Sequence, residues 1–302
     1  MFSKVLHHAT GFRRCTLVVA MALMASLAAL SAAAPALATP KGEFAVFANC
    51  PLTSPELKAC LIAKTESGQF TVGKVTVPIK NAITLQGGFS ENEETGALNF
   101  VGAADGNTLS KTGQPVPGGL AGLVNCPEIS NWFERITCEL VFENRLTGVN
   151  ATTELAAPAS SIGLNEENLL DQTGTALSLP VKVKLENPLL GNECYIGSNA
   201  SPVVINFTTG TTSPPEPNKP IKGSAGTLES NPEGNILTIS KNSLVNNSFA
   251  APGASGCGGI FSFLIDPLIN AKLGIPAAAG HNTAILNGTL KQASAKAVKA
   301  HE

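Results

Sequence analysis

Apolar and polar side chains alternate without interruption across residues Leu177–Glu186, whose sequence is LSLPVKVKLE. Successive side chains of a strand point to opposite faces, so this pattern predicts a strand with one buried and one solvated face. A helix would spread the same five apolar residues around its circumference. Pro180 has no backbone N–H, which predicts that the strand lies at a sheet edge or begins there. The segment therefore favours an antiparallel β protein.

The cysteines are typical of an exported protein held by disulfides. Of the seven, Cys15 lies in an N-terminal leader, and six lie beyond it: Cys50, Cys60, Cys126, Cys138, Cys194 and Cys257. An even number in an exported chain predicts three disulfides, although many pairings are possible. We expect neighbours to pair, as Cys50–Cys60, Cys126–Cys138 and Cys194–Cys257. No two of them have the two-residue spacing of zinc sites, so no metal site is predicted.

The first 38 residues have the features of a secretory signal peptide. Lys4, Arg13 and Arg14 supply a positive start, and an apolar stretch covers residues 17–37. Ala36 and Ala38 are small residues at the positions that a signal peptidase reads, which predicts cleavage after Ala38 and a secreted, extracellular protein. A retained membrane anchor and export through the twin-arginine route are the alternatives.

The charge of the predicted mature chain argues against nucleic acid as a partner. The leader holds three of the 20 basic residues and none of the 22 acidic ones, which leaves 17 basic and 22 acidic side chains and a net charge of −5. Such a chain has no electrostatic attraction to phosphate backbones or anionic lipid. Residues 39–302 suffice for one large β domain or for two β subdomains, at about 39–165 and 166–296.

Turn signals recur between short apolar runs, which predicts a mainly β fold: an antiparallel sandwich or barrel-like sheets with a few short helices. Residues 44–47 are predicted as a strand, Ser54 as the start of a short helix, and residues 66–68 as a hairpin turn. A further helix is predicted to open at Asp266, followed by Pro267. The tripeptide Asn-Cys-Pro occurs at residues 49–51 and again at 125–127, which suggests two copies of one cysteine-containing unit.

Catalytic motifs are weak in this chain. His281, Ser255 and Asp266 could form a triad, but the residues around Ser255 do not match a nucleophile elbow, and a histidine in a turn is the simpler interpretation. Paired carboxylates for glycoside hydrolysis could come from four acids that resemble solvated turn residues: Glu91, Glu93, Glu94 and Asp105. Around Asp105 the spaced acidic loop of calcium sites is missing. No glycine-rich phosphate loop or dinucleotide fingerprint is present, so no cofactor is predicted.

Several segments resemble a group of exported actinobacterial proteins of unassigned function with a six-cysteine mature region. They include FAVFANCP, VTVPIKNAITLQGG, LSLPVKVKLENPLLGNECYIGS and FAAPGASGCGGIFSFLIDPLINAKLGIPAAAGHNTAILNG, and the similarity covers nearly the whole mature chain. The resemblance implies export and a shared disulfide framework, and no catalytic or binding residue.

The sequence favours a secreted, disulfide-stabilised, non-enzymatic β protein with a binding or structural role at or outside the cell envelope. Its partner would be an envelope component or another protein. One alternative is a secreted hydrolase that uses paired carboxylates, which a deep pocket with convergent acids would support. Another is a carrier of a small apolar ligand, which a dry cavity between sheets would support. A flat exposed apolar patch, or an unpaired sheet edge near Pro180, would instead support a partner-binding module.

Overall fold

Fourteen strands and three α-helices make up the part of the chain that the structure describes. The structure is a computed structural model and describes residues 39–91, 98–120, 132, 135 and 148–302. The strands are β1 Leu57–Val72, β2 Val75–Pro78, β3 Ile83–Glu91, β4 Leu98–Gly102, β5 Gln114–Pro115, β6 Asn150–Leu155, β7 Gly163–Leu164, β8 Leu177–Glu186, β9 Tyr195–Ile196, β10 Val203–Phe207, β11 Thr227–Ser230, β12 Ile236–Asn246, β13 Ala254–Ser255 and β14 Thr283–Ser294. The α-helices are α1 Glu166–Asp171, α2 Ser262–Leu273 and α3 Ala295–Lys299, and 3-10 helices cover Gly42–Phe47, Ala159–Ser161 and Gly259–Phe261. Residues Pro40–Glu302 form one compact unit.

The first sheet, sheet A, is built around the long strand β1. Its order within the described residues is β11-β12-β14-β1-β3-β4, with β2 also paired to β1. Strand β14 pairs along one side of β1, and β3 and β2 pair in succession along the other. The sheet therefore joins strands from both sides of residue 165.

The hairpin predicted at residues 66–68 is wrong, because β1 runs straight through this segment. The register of β1 against β14 shifts between Thr65 and Ser67, which is a β-bulge. A Cβ on Gly68 would lie 2.0 Å from the carbonyl oxygen of Ile285, and Gly68 has a φ of 131°. The glycine thus permits close approach to the neighbouring strand and does not form a turn.

Sheet B is built around β8, the strand with the alternating sequence. Its order in the described part is β13-β9-β8-β6-β5, and β10 and β7 also pair with β8. Leu177, Leu179, Val181 and Leu185 are buried, as the alternation predicts. All strand pairs of both sheets in the described residues are antiparallel, so the prediction of a mainly β, antiparallel fold is confirmed.

The position predicted for Pro180 is wrong, because β8 is an interior strand and Pro180 is its fourth residue. The Pro180 carbonyl accepts a hydrogen bond from the Ala156 N–H at 3.0 Å. The nitrogen of a strand residue faces the same side as its carbonyl. On this side of β8, β7 pairs with Leu177 and Ser178, and β6 pairs from Val181 onward, so Pro180 lies in the gap between them. The missing N–H of Pro180 therefore costs the sheet no hydrogen bond.

The main core lies between the two sheets. Sheet A contributes buried residues such as Leu61 and Leu286, and sheet B contributes Leu179, Ile205 and Phe207 to the same cluster. A second cluster packs α2 against sheet B through Ile269 and Leu273.

Two of the three expected disulfides lie within the described residues. Cys50 is bonded to Cys60, and Cys194 is bonded to Cys257. The expected partners Cys126 and Cys138 lie outside the described residues, as does the second copy of the predicted repeat.

The strand predicted at residues 44–47 is instead part of a 3-10 helix, Gly42–Phe47. Phe44 and Phe47 are both buried beside the Cys50–Cys60 disulfide, and a spacing of three residues places them on one side of a 3-10 helix. The helix predicted from Ser54 is also wrong, since residues 51–56 form turns and Glu56 has a φ of 62°.

Candidate functional site

The triad suggested by the sequence is not assembled. Asp266 accepts hydrogen bonds from the Cys257 N–H at 2.8 Å and the Gly256 N–H at 3.1 Å, so its carboxylate holds a backbone turn. His281 is exposed, and its backbone N–H bonds to the Ala278 carbonyl at 3.3 Å. No hydrogen bond among the described contacts joins Ser255, Asp266 and His281 to one another. Asp266 therefore has a structural role.

The candidate carboxylates are placed as separate surface groups. Glu91 forms an ion pair with Lys58 at 3.6 Å, and Asp105 accepts from the Asn107 N–H at 2.8 Å. Glu93 and Glu94 lie outside the described residues. In the part of the chain that is described, no three His, Cys, Asp or Glu side chains are grouped so that they could hold a metal ion.

An exposed apolar surface precedes and opens helix α2. Four of five consecutive residues present large apolar side chains to solvent: Ile260 is 85% exposed, Phe261 57%, Phe263 70% and Leu264 55%. We call these four residues the apolar knob. Single exposed apolar residues are common on protein surfaces, but a contiguous group of this kind marks an interaction site.

The chain is anchored on both sides of the knob. The Cys194–Cys257 disulfide immediately precedes it, and the Gly258 N–H donates to the Leu190 carbonyl at 2.8 Å. Gly258 has a φ of 81°, a left-handed conformation that glycine adopts without strain. On the other side, Ile269 is fully buried and anchors α2. The knob is therefore presented by a fixed turn.

No charged side chain occurs between Lys241 and Asp266, a stretch that includes the whole knob. Asp266 itself is turned back to the two backbone N–H groups of the preceding turn. Leu189, which is 43% exposed, precedes Leu190, whose carbonyl accepts the bond from Gly258. The segment that carries the knob is thus uncharged.

Two apolar cavities lie between the sheets. Cavity 1 has a volume of about 60 Å³ and cavity 2 of about 70 Å³. Four residues line both of them: Phe70, Thr153, Val181 and Ile205. A cavity destabilises a fold by about 24 cal/mol per Å³, so each of these two lowers stability by roughly 1.5 kcal/mol.

A wider surface cleft of about 550 Å³ lies beside β10. Its described lining is neutral and mostly hydroxyl or amide, with Asn206, Thr212 and Asn246 among its residues. None of the described residues that line this cleft or the two cavities carries a carboxyl group. None of these spaces provides the pair of acids that glycoside hydrolysis requires.

The knob was not predicted because the start of α2 was expected at Asp266, four residues too late. The helix begins at Ser262 and contains Pro267, whereas the prediction began it at Asp266. Ile269 and Leu273 already supply its buried face. A signal was present in the sequence, since the five apolar residues at positions 260, 261, 263, 264 and 265 exceed what one helix face can bury.

Comparison of the chain with models of known families, with curated proteins and with solved structures finds no match. Among the described residues, no helix combines the length and the apolar character needed to cross a bilayer.

Proposed function

We propose that this is an exported, non-enzymatic β protein that binds the lipid surface of the cell envelope through the apolar knob. The observation that carries the proposal is the exposure of Ile260, Phe261, Phe263 and Leu264 on one fixed turn. Signal-peptide features in residues 1–38 and the two disulfides support export.

The chemistry of the knob favours lipid over a protein partner. The residues that dominate the binding energy of protein interfaces are Tyr, Trp and Arg, which combine apolar area with a polar tip. The knob has none of these residues, and its aliphatic and phenyl side chains have no polar tip to satisfy. Side chains of this kind are the ones that favour the hydrocarbon region of a bilayer.

The size of the knob also disfavours a second copy of this chain as the occupant. A specific protein interface buries about 800 Å² on each partner and about 20–30 residues a side. The four side chains of the knob are far fewer than the residues of such an interface. Transfer of a Leu, Ile or Phe side chain out of water yields about 1.5–3 kcal/mol, so these four partly exposed residues together supply roughly 4–8 kcal/mol. That amount suits reversible attachment to a membrane surface.

The charge of the chain determines which lipids are expected to bind. With a net charge of −5 beyond residue 38 and no charged residue in the knob, attraction to anionic headgroups is absent. We expect attachment to neutral or zwitterionic lipid. Because the driving force is apolar, added salt should not weaken it.

Co-sedimentation of the mature chain with phosphatidylcholine vesicles tests this function. We expect the wild-type chain to bind equally at low and at 0.5 M NaCl, and Ile260→Ser with Phe263→Ser to lower the bound fraction at least tenfold. Both side chains are mostly exposed, so the melting temperature should stay unchanged.

Leu228→Ser is the matched control, because Leu228 is 50% exposed on β11, outside the knob, and should retain full binding. A wild-type chain that stays in the supernatant contradicts the proposal. So does retention on envelope material after the lipid is extracted, which would indicate a protein partner. A dimer in gel filtration that the knob substitutions separate would indicate a second copy.

A further inference from the structure

The two cavities between the sheets adjoin each other and share part of their lining. The residues of sheet A that line cavity 1 include Ala63, Leu85 and Leu286. The residues that line cavity 2 include Val72 and Ala151. Phe70, Thr153, Val181 and Ile205 contact both spaces, so these side chains lie between the two cavities.

The size and the lining of the two cavities determine which ligands they can hold. Together they approach the roughly 150 Å³ of an engineered apolar cavity that stays dry and binds benzene or xenon. Protein interiors contain few voids larger than a water molecule, so two adjoining ones of about 60 and 70 Å³ are unusual. Water is not stabilised where the walls offer it few polar partners.

Part of the lining of cavity 1 is polar, and one of these residues has a side chain that is exposed to solvent. Lys64, Thr65, Asn242 and Thr289 belong to its lining, and the Lys64 side chain is 54% exposed. Two register shifts meet at this level, one in β1 between Thr65 and Ser67 and one in β12 between Ile239 and Asn242. Bulges of this kind are common beside binding sites, where they interrupt the ladder and redirect side chains.

We propose that the space between the two sheets binds a small apolar ligand, a single ring or a short alkyl chain, that enters past the polar residues that line cavity 1. The ligand fills cavity 1 first and reaches cavity 2 past Phe70. This site is independent of the apolar knob, since no knob residue lines either cavity. This site is where the alternative function, the carriage of a small apolar ligand, would take place.

Xenon and benzene are the probes. In crystals under xenon pressure we expect one xenon site in each cavity. Ala63→Val should abolish the site in cavity 1 and Ala151→Val the site in cavity 2, because each alanine lines only one cavity and valine suits a strand. In solution, benzene at saturation should raise the melting temperature of the wild-type chain by about 2–6 °C. The double variant should lose that shift.

Ala59→Val is the matched control, since Ala59 is on the same strand as Ala63 and contacts the same core without lining a cavity. It should keep both xenon sites and the benzene shift. If the double variant does not fold, the single variants still separate the two cavities. Cavities that remain empty of xenon overturn the proposal. It is equally overturned if xenon binds but benzene leaves the melting temperature unchanged, because the voids would then be packing defects without ligand affinity.

Discussion

Tyr195 is the single tyrosine of the chain, and it lies among charged side chains on sheet B. The Lys182 ammonium is 4.7 Å from its ring centroid, and Lys182 also pairs with Glu154 at 3.8 Å. Burial raises the pKa of the Tyr195 phenol, and three carboxylates raise it further. In decreasing order of effect, these belong to Glu154, Glu193 and Glu186.

The titration of this phenol can be measured without interference, because no other tyrosine absorbs. We expect its ultraviolet titration midpoint to lie above the ordinary value of about 10. Glu154→Gln should lower the midpoint, since it removes a negative charge that disfavours phenolate. Glu229→Gln, on exposed β11, should leave it unchanged.

The same shift sets a direction for stability at high pH. The folded state keeps the phenolic proton to a higher pH than the unfolded state, so this contribution is fully present below about pH 10 and is lost as pH rises through the folded pKa. A titration midpoint below 10 in the native chain would contradict this picture of the environment of Tyr195.

At the scale of elements, the close contact of β1 with β14 depends on small residues. A Cβ on Gly288 would lie 2.0 Å from the Lys64 carbonyl oxygen, beside the bulge in β1. Backbone atoms cannot move away as a flexible side chain would. The glycine is therefore required by the approach of the two strands, and its position next to the bulge could not be read from the sequence.

We expect Gly288→Ala to destabilise the protein by about 1–3 kcal/mol through this overlap. Urea denaturation followed by circular dichroism measures the loss. Gly148→Ala is the control, because a Cβ there has nothing within 4 Å and should change stability by less than about 0.5 kcal/mol. Equal stability of the two variants would show that β1 and β14 are not this close.

At the scale of the whole molecule, cross-links and pairing join distant parts of the chain. Strand β1 near the start pairs with β14 near the end, and the Lys41 N–H donates to the His301 carbonyl at 2.9 Å. The Cys194–Cys257 disulfide spans 63 residues and joins the residue before β9 to the turn before the apolar knob. It encloses the proline-rich segment near residue 215, which lies within the compact unit Pro40–Glu302.

We expect Cys194→Ser to lower the free energy of unfolding by about 2–5 kcal/mol. Cys50→Ser should lower it by roughly 1.5 kcal/mol less, because its disulfide spans only 10 residues and restricts the unfolded chain less. Thermal or urea unfolding of the two variants measures the difference. An unchanged melting temperature for Cys194→Ser would show that this bond does not stabilise the fold.

The third disulfide stays a prediction. Non-reducing peptide mapping should recover Cys126–Cys138 together with the two neighbour pairs that the structure contains. A peptide joining Cys50 to Cys126, or free thiols in the purified protein, would contradict neighbour pairing.

Much of the fold followed from local pattern. The alternation in β8 correctly predicted a strand with a buried face, because it depends on short-range rules alone. Predictions were wrong where residues that resemble a local motif instead contact another part of the chain. Residues 66–68 resemble a turn but form a bulge against β14, and Asp266 resembles a helix opening but holds the turn at Cys257.

By itself, the sequence determined the β class, because the side-chain period acts over a few residues. It favoured the pairing of neighbouring cysteines, and the structure decided the pairs at residues 50–60 and 194–257. Only the tertiary structure decided that Ile260 to Leu264 stay in solvent and that voids remain between the sheets. An apolar residue looks the same in sequence whether or not another element covers it, and coverage depends on how distant strands and helices pack.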